Sequence, residues 1–132
     1  MTSIKLFLLY FFIFYFSFAH AKIINMECEL KLTTSNDWSE QTSDNQKELW
    51  IYDDQVGLKT DHVNYSLAEC KLSEEELVCE KYSENVDNNI IAHYQKTYLN
   101  RYNLLLKDFS EFEYQDKQFS SRMREGNCML IN

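Results

Sequence analysis

A strict alternation of apolar and polar residues opens the globular part of the chain. From Ile24 to Leu32 every second residue is apolar or Cys, and the residues between them are polar or charged. A period of two places successive side chains on opposite faces of a strand. The pattern therefore predicts a half-buried β-strand over 24–32. The stretch from Thr33 to Gln46 is polar except for Trp38, and its Ser, Asn and Asp content predicts a loop.

Shorter apolar runs predict further strands. Leu49 to Tyr52 is one of them, and the polar turn at 53–55 leads into a second run at 56–59 that contains Gly57. Apolar residues alternate again from Val63 to Leu67, and the alternation slips by one residue at 68–69, which indicates a bulge or a bend. These spacings are typical of a chain of short antiparallel strands.

A hairpin centred on Glu74-Glu75 would place Leu72 opposite Leu77 and Cys70 opposite Cys79. Directly opposed residues in an antiparallel pair have Cα atoms ~4.5–5.5 Å apart, which overlaps the ~4.4–6.8 Å of disulfides. We therefore expect a Cys70–Cys79 disulfide. Because Glu-Glu suits a two-residue type I′ turn poorly, a four-residue loop with the same centre is an equal alternative.

The N-terminal segment has the features of a secretory signal peptide. Lys5 precedes 13 almost uninterrupted apolar residues at 6–18, and Ala19-His20-Ala21 follows them. This order of a positive region, an apolar region and small residues predicts cleavage between Ala21 and Lys22. The apolar run is shorter than the ~20 residues of a membrane-spanning helix. We expect a secreted or periplasmic protein with residues 1–21 as signal peptide, no stable membrane insertion after cleavage, and one domain over 22–132.

The four Cys residues lie beyond the predicted cleavage position, at 28, 70, 79 and 128. An even number of Cys in an oxidising compartment favours disulfides over a metal or redox site, and no Cys-x-x-Cys spacing occurs. If Cys70 pairs with Cys79, elimination leaves Cys28 with Cys128. Two other pairings stay open at this point, and the main alternative joins Cys28 with Cys70 and Cys79 with Cys128.

The segment from residue 90 to 105 fits two kinds of structure. Ile91, Tyr94, Tyr98 and Tyr102 recur at helical spacing, whereas the Tyr, Thr, Ile and Leu content and the alternation from Ile90 favour a strand. We favour the strand. A last strand is expected over 127–131, after Gly126. The predicted fold class is all-β, a small antiparallel β-barrel or sandwich with two disulfides.

The order of these elements resembles a class of small secreted bacterial β-proteins of unknown function. The matching features are the early Cys-containing strand at 26–30, the paired Cys region at 68–79, the Asn-Arg strand at 99–102 and the Gly-x-Cys end at 126–128. The chain departs from that class after Arg101, where Tyr102-Asn103 stands in place of a common Thr-Gly pair. The resemblance implies a strand over 90–107 and a small antiparallel β-domain. It implies no activity.

Charge narrows the choice of partners. The chain has 13 Lys and Arg against 21 Asp and Glu, and removal of residues 1–21 takes away Lys5 and no acid, so 12 bases and 21 acids remain, a net charge of −9. Such acidity disfavours nucleic acids and anionic membranes and favours a basic protein as partner. Trp38, between acidic residues in a polar segment, is a candidate partner contact, although burial over the core is the commoner fate of Trp.

Candidate chemistry in the sequence is sparse. His62 and His93 could serve as general base and acid of a small secreted hydrolase, but no neighbouring motif positions a third group. The acids at 53–54, 61 and 74–76 lack the spacing of a calcium loop. We expect no cofactor and no metal, and a monomeric, non-enzymatic binding or interaction protein. The alternatives are an acidic inhibitor of a basic enzyme such as lysozyme, or the hydrolase.

Overall fold

A computed structural model describes residues 22–36 and 39–131 of the chain. The predicted signal segment, its cleavage position after Ala21, and Trp38 lie outside the described residues. The strands are β1 (Ile23–Asn36), β2 (Glu40–Thr42), β3 (Gln46–Asp53), β4 (Gly57–Lys59), β5 (Asn64–Ser66), β6 (Cys70–Leu72), β7 (Glu76–Glu84), β8 (Ile90–Asn100), β9 (Leu105–Tyr114) and β10 (Phe119–Ile131). A single 3-10 turn, η1 (Leu67–Glu69), separates β5 from β6.

The strands form one antiparallel sheet that nearly closes into a barrel. Its order is β5-β4-β3-β1-β10-β9-β8-β7-β6, and β2 pairs with the second half of β1. The two ends of this order, β5 and β6, are neighbours in sequence, so η1 carries the chain from one edge of the sheet to the other. Across the remaining gap, Lys81 on β7 donates a 2.8 Å hydrogen bond from Nζ to the Asn64 carbonyl on β5. The predicted all-β fold class is confirmed.

The predicted hairpin and both disulfides are confirmed. Leu72 pairs with Leu77 and Cys70 with Cys79, with the Cys Cα atoms 4.0 Å apart. The Ser73 amide donates to the Glu76 carbonyl, which leaves the two glutamates 74 and 75 at the tip of the turn. Cys28 on β1 lies opposite Cys128 on β10 and is bonded to it. Both alternative disulfide pairings are therefore wrong.

The first strand is longer than its alternating pattern, and the predicted loop over 33–46 is wrong in part. β1 continues to Asn36 along β10, and Glu40–Thr42 forms β2 against it. These extensions lie beyond the closed part of the barrel, where β1 residues 31–36 are half-buried or exposed. A strand segment with water close to both faces needs no hydrophobic alternation, so its sequence has the composition of a loop.

Residues 90–100 are the strand β8, so the helical alternative is wrong. The expected continuous strand over 90–107 is also wrong in part, because a turn at 101–104 separates β8 from β9, which begins at Leu105. Tyr94 and Tyr98 are four residues apart, and an even spacing also keeps side chains on one face of a strand. The last strand begins at Phe119, well before Gly126. Gly126 lies inside this strand. The position requires glycine because a Cβ there would stand 1.8 Å from the Glu29 carbonyl oxygen of β1. The glycine thus marks a close approach of two strands and not the start of one.

The barrel interior is apolar toward one end. Trp50, Tyr65, Met26, Leu58 and Leu77 are its largest fully buried side chains, and Cys28 and Cys79 are buried with them. Gly57 begins β4 with φ of 127°, and a Cβ there would meet the Tyr65 carbonyl oxygen at 2.0 Å. Within residues 22–36 and 39–131, no helix has the length and apolar character needed to cross a membrane.

Candidate functional site

A polar cluster occupies the barrel interior beside the apolar core. We use the name interior polar cluster for Glu48, Tyr65, Gln95, Thr97, Asp108 and Arg124. These residues come from five strands, and the register places Thr97, Asp108 and Arg124 next to one another across β8, β9 and β10. Their shared position follows from antiparallel pairing, because directly opposed residues point to the same face of a sheet.

Arg124 is the centre of the interior polar cluster. Its Nη1 donates to both Glu48 carboxylate oxygens at 2.6 and 2.7 Å, and its Nε and Nη2 donate to Asp108 Oδ2 at 3.0 and 2.7 Å. The guanidinium also lies over the Trp50 ring, 5.6 Å from the centroid. Burial alone lowers the pKa of Arg124, but the charges of Asp108 and Glu48 reverse this effect, and its pKa lies above the ordinary value. The arginine is therefore always charged, and it forms ion pairs with two carboxylates, of which Asp108 is buried and Glu48 is half-buried.

The rest of the cluster connects Asp108 to the opposite side of the barrel. The Thr97 hydroxyl lies 2.8 Å from Asp108 Oδ1 and 2.9 Å from the Tyr65 hydroxyl, within hydrogen-bond distance of both. The Gln95 amide donates to the same Asp108 oxygen at 3.5 Å. Because these side chains hold each other inside the barrel, we assign the cluster a structural role.

The two candidate histidines lie on different elements. His62 is exposed in the turn between β4 and β5. His93 on β8 is half-buried and stacks on Phe112, with ring centroids 4.3 Å apart and planes at 4°. Its Nε2 is buried and has no hydrogen-bond partner. Burial and the nearby Lys81 charge lower the pKa of His93, so the ring is neutral at pH 7. The structure gives neither histidine a hydrogen-bonded partner that would orient it for catalysis.

The described part of the chain contains no cluster of three or more His, Cys, Asp or Glu side chains with the geometry of a metal site. Asn64, the first residue of a glycosylation sequon, is exposed on β5 at the gap between the sheet edges. Trp38, the predicted partner contact, lies outside the described residues.

The outer surface of β7, β8 and β9 carries a feature that the sequence analysis did not find. Strand pairing arranges nine residues as a grid of three rows across the three strands, and all of them except the buried Ala92 are exposed or half-buried. The rows are Glu84, Ala92 and Glu113; Tyr82, Tyr94 and Glu111; and Glu80, Lys96 and Phe109. We call this surface the acidic tyrosine face. It has four carboxylates and one ammonium group, and these residues alternate with the inward-facing Lys81, Gln95 and Ser110.

The tyrosines and glutamates of this face are coupled. Burial, the Glu80 charge and a hydrogen bond to Glu80 raise the pKa of Tyr94, and the Glu111 charge adds to the rise. Desolvation and the charges of Glu84 and Glu113 raise the pKa of Tyr82, although 59% of this side chain is exposed. Tyr94 packs against Phe109 with ring centroids 6.4 Å apart. The face therefore presents neutral aromatic rings surrounded by carboxylates.

Lys96 is the single cation of the acidic tyrosine face, and it balances little of the negative charge of the four carboxylates. Lys96 lies 3.9 Å from Glu80, and about half of each side chain is exposed. Such a solvated ion pair contributes little to stability and exchanges readily with other partners.

The alternation of Glu and Tyr at 80, 82 and 84 was visible in the sequence, but the position of these residues beside 94, 111 and 113 depends on the register of β7, β8 and β9.

Comparison of the chain with models of protein families, with curated proteins and with solved structures finds no match. The candidate sites therefore rest on the geometry described above.

Proposed function

We propose that the protein is a secreted or periplasmic, non-enzymatic interaction protein whose acidic tyrosine face binds a basic protein. The observation that carries the proposal is the grid itself, in which four carboxylates and three aromatic rings share one outward surface with a single Lys. Two disulfides are consistent with an oxidising compartment. Export would depend on residues 1–21, with cleavage between Ala21 and Lys22.

The chemistry of the face matches arginine and lysine side chains. Carboxylates accept charge-assisted hydrogen bonds from guanidinium groups, and tyrosine rings attract cations over their faces. Tyrosine is also enriched among the residues that dominate binding energy in protein interfaces. Tyr82 and Tyr94 lie side by side in the middle row, and the acids surround them, which is the arrangement of an aromatic centre with a charged rim.

The overall charge adds a long-range contribution. With a net charge of −9 over residues 22–132, the protein attracts a cationic partner. This attraction raises the rate at which the two proteins associate, and salt screens it. A specific form of the proposal is inhibition of a basic enzyme such as lysozyme, in which the face would cover the enzyme's cationic surface.

Binding to lysozyme, used as a basic probe protein, tests the proposal. We expect measurable binding at low salt and its loss near 1 M salt, where the Debye length falls to ~3 Å. The double variant Glu84→Gln, Glu113→Gln should weaken binding by about tenfold, because it removes two carboxylates that flank Tyr82. The substitution Tyr82→Ala should weaken it further while leaving the charge unchanged.

A matched control separates the face from the total charge. The double variant Glu29→Gln, Glu40→Gln removes the same charge from exposed positions on β1 and β2, and we expect nearly unchanged affinity. Equal weakening by both double variants would show that net charge alone attracts the probe and would exclude the acidic tyrosine face as the binding surface.

A further inference from the structure

A recess opens at the end of the barrel that carries the β6–β7 hairpin and the β8–β9 turn. We call it the terminal recess. Its volume is about 240 Å³, and eight of its ten lining residues are apolar or aromatic. Met26, Leu77 and Leu99 form its buried part, and Leu72 and Leu130 lie at its rim, where they are 40% and 57% exposed. The apolar core is therefore accessible from this end.

The two other lining residues are Lys22 and Arg101, and none of the described lining residues is acidic. Arg101 is fixed in the turn, because its amide donates to the Glu75 carbonyl at 2.9 Å and its guanidinium donates to the Ser73 carbonyl. Lys22 is held by its backbone, whose carbonyl accepts a 3.1 Å hydrogen bond from the Asp54 amide. In a strongly acidic chain, both charged residues that line this apolar recess are cations.

The phenol of Tyr52, which lines the recess, lies in the field of Arg101 and of Asp53 and Asp54, two acids outside the lining. Burial and the Asp54 charge raise its pKa, and the positive charge of Arg101 opposes them. Arg101 thus acts on the recess itself as well as on the turn. Its guanidinium has five N–H donors, so the contact with the Ser73 carbonyl leaves others for an anion.

We propose that the terminal recess binds a medium-chain carboxylate, with the hydrocarbon chain in the recess and the headgroup between Arg101 and Lys22. A mostly apolar pocket with a few polar groups at one side is the usual form of a small-molecule site. At ~30 Å³ per atom, the volume of a water molecule in the liquid, the recess holds a chain of roughly eight atoms. Octanoate matches this length and carries the complementary charge.

This site is separate from the acidic tyrosine face, because the two share no residue. The inference does not depend on the proposed function, and either can fail alone.

Titration with three eight-carbon ligands, followed by calorimetry or NMR, tests the proposal. We expect saturable binding of octanoate, about tenfold weaker binding of octanol, which lacks the charge, and no detectable binding of octylammonium. Arg101→Gln should reduce octanoate affinity to the level of octanol and leave octanol affinity unchanged. If octanoate and octanol bind equally well, or if no ligand saturates, the proposal is wrong.

A second pair of variants does not depend on the integrity of the Arg101 turn. Leu130→Glu adds a carboxylate at the exposed rim and should weaken octanoate binding at least tenfold. Met129→Glu is its control, because Met129 is 60% exposed and points to the opposite face of the same strand. Equal weakening by both variants would show that the anion responds to net charge and would overturn the assignment to the recess.

Discussion

Arg124 joins two carboxylates that strand pairing places inside the barrel. The side chain of Asp108 is 4% exposed and that of Glu48 is 14% exposed, so each depends on the arginine for its charge balance. Removing one partner of a buried ion pair leaves an uncompensated charge in the interior, which is strongly destabilising. Replacing the whole pair by apolar residues costs far less stability. At the scale of single residues, Arg124 is therefore the position where we expect substitution to lower the free energy of unfolding most.

We expect Arg124→Met to lower the free energy of unfolding by about 3–5 kcal/mol, measured by urea denaturation. The triple variant Glu48→Gln, Asp108→Asn, Arg124→Met should regain part of the loss, because it no longer buries an unpaired charge. Arg122→Met, on the same face of β10 but exposed, should change stability by no more than about 0.5 kcal/mol. A loss below 1 kcal/mol in Arg124→Met would contradict the assigned role.

At the scale of elements, the two disulfides connect very different lengths of chain. Cys28 and Cys128 are 100 residues apart, whereas Cys70 and Cys79 are nine residues apart and already held by the hairpin. In the chain-entropy account, a disulfide stabilises by restricting the unfolded chain, and the effect grows with the logarithm of the loop length. The long loop should therefore contribute more.

We expect the double variant Cys28→Ala, Cys128→Ala to lose about 2 kcal/mol more than Cys70→Ala, Cys79→Ala. Urea denaturation of both variants under oxidising conditions measures the difference. Equal losses would show that strain or residual structure in the unfolded chain outweighs loop entropy here.

Individual strands were predictable where they border the core. The alternation from Ile24 to Leu32 and the hairpin at 74–75 are local patterns, and each fixed which residues face inward. The segments at 33–36 and 40–42 were not predictable, because polar residues in an open extension of the sheet have no hydrophobic period. The early start of β10 was missed for the same reason, since residues 119–125 are mostly exposed or polar.

At the scale of the whole molecule, the features that matter for function come from register between distant strands. Glu48 and Arg124 are 76 residues apart, and Tyr82 meets Glu111 only through β8. The terminal recess likewise needs the barrel to close, so that Leu72 and Leu130 reach one opening. No local pattern encodes such contacts, and the sequence alone therefore predicted the fold class but not the interior polar cluster, the acidic tyrosine face or the recess.

Closure of the barrel depends in part on Tyr65, which is fully buried on β5 and hydrogen-bonds to Thr97 on β8. Burial raises the pKa of Tyr65 above its ordinary value of 10.0, and the Asp108 charge adds to the rise against the opposing effect of Thr97. The unfolded chain ionises this phenol near pH 10, whereas the folded protein keeps it protonated to higher pH. Its contribution to stability is therefore complete below pH 10 and is lost as the pH rises above 10.

We expect Tyr65→Phe to be less stable than the wild type at pH 7 by about 1 kcal/mol, because one buried hydrogen bond is lost. As the pH rises above 10, the wild type should lose stability faster than the variant, since the variant cannot ionise at this position. Denaturation midpoints measured from pH 7 to 11 give the difference. Other tyrosines titrate in both proteins and cancel. Tyr102→Phe is the control for removal of a tyrosine hydroxyl, because Tyr102 is 75% exposed. If the difference in stability between Tyr65→Phe and the wild type stays constant as the pH rises, the contact between Tyr65 and Thr97 does not exclude water from the phenol.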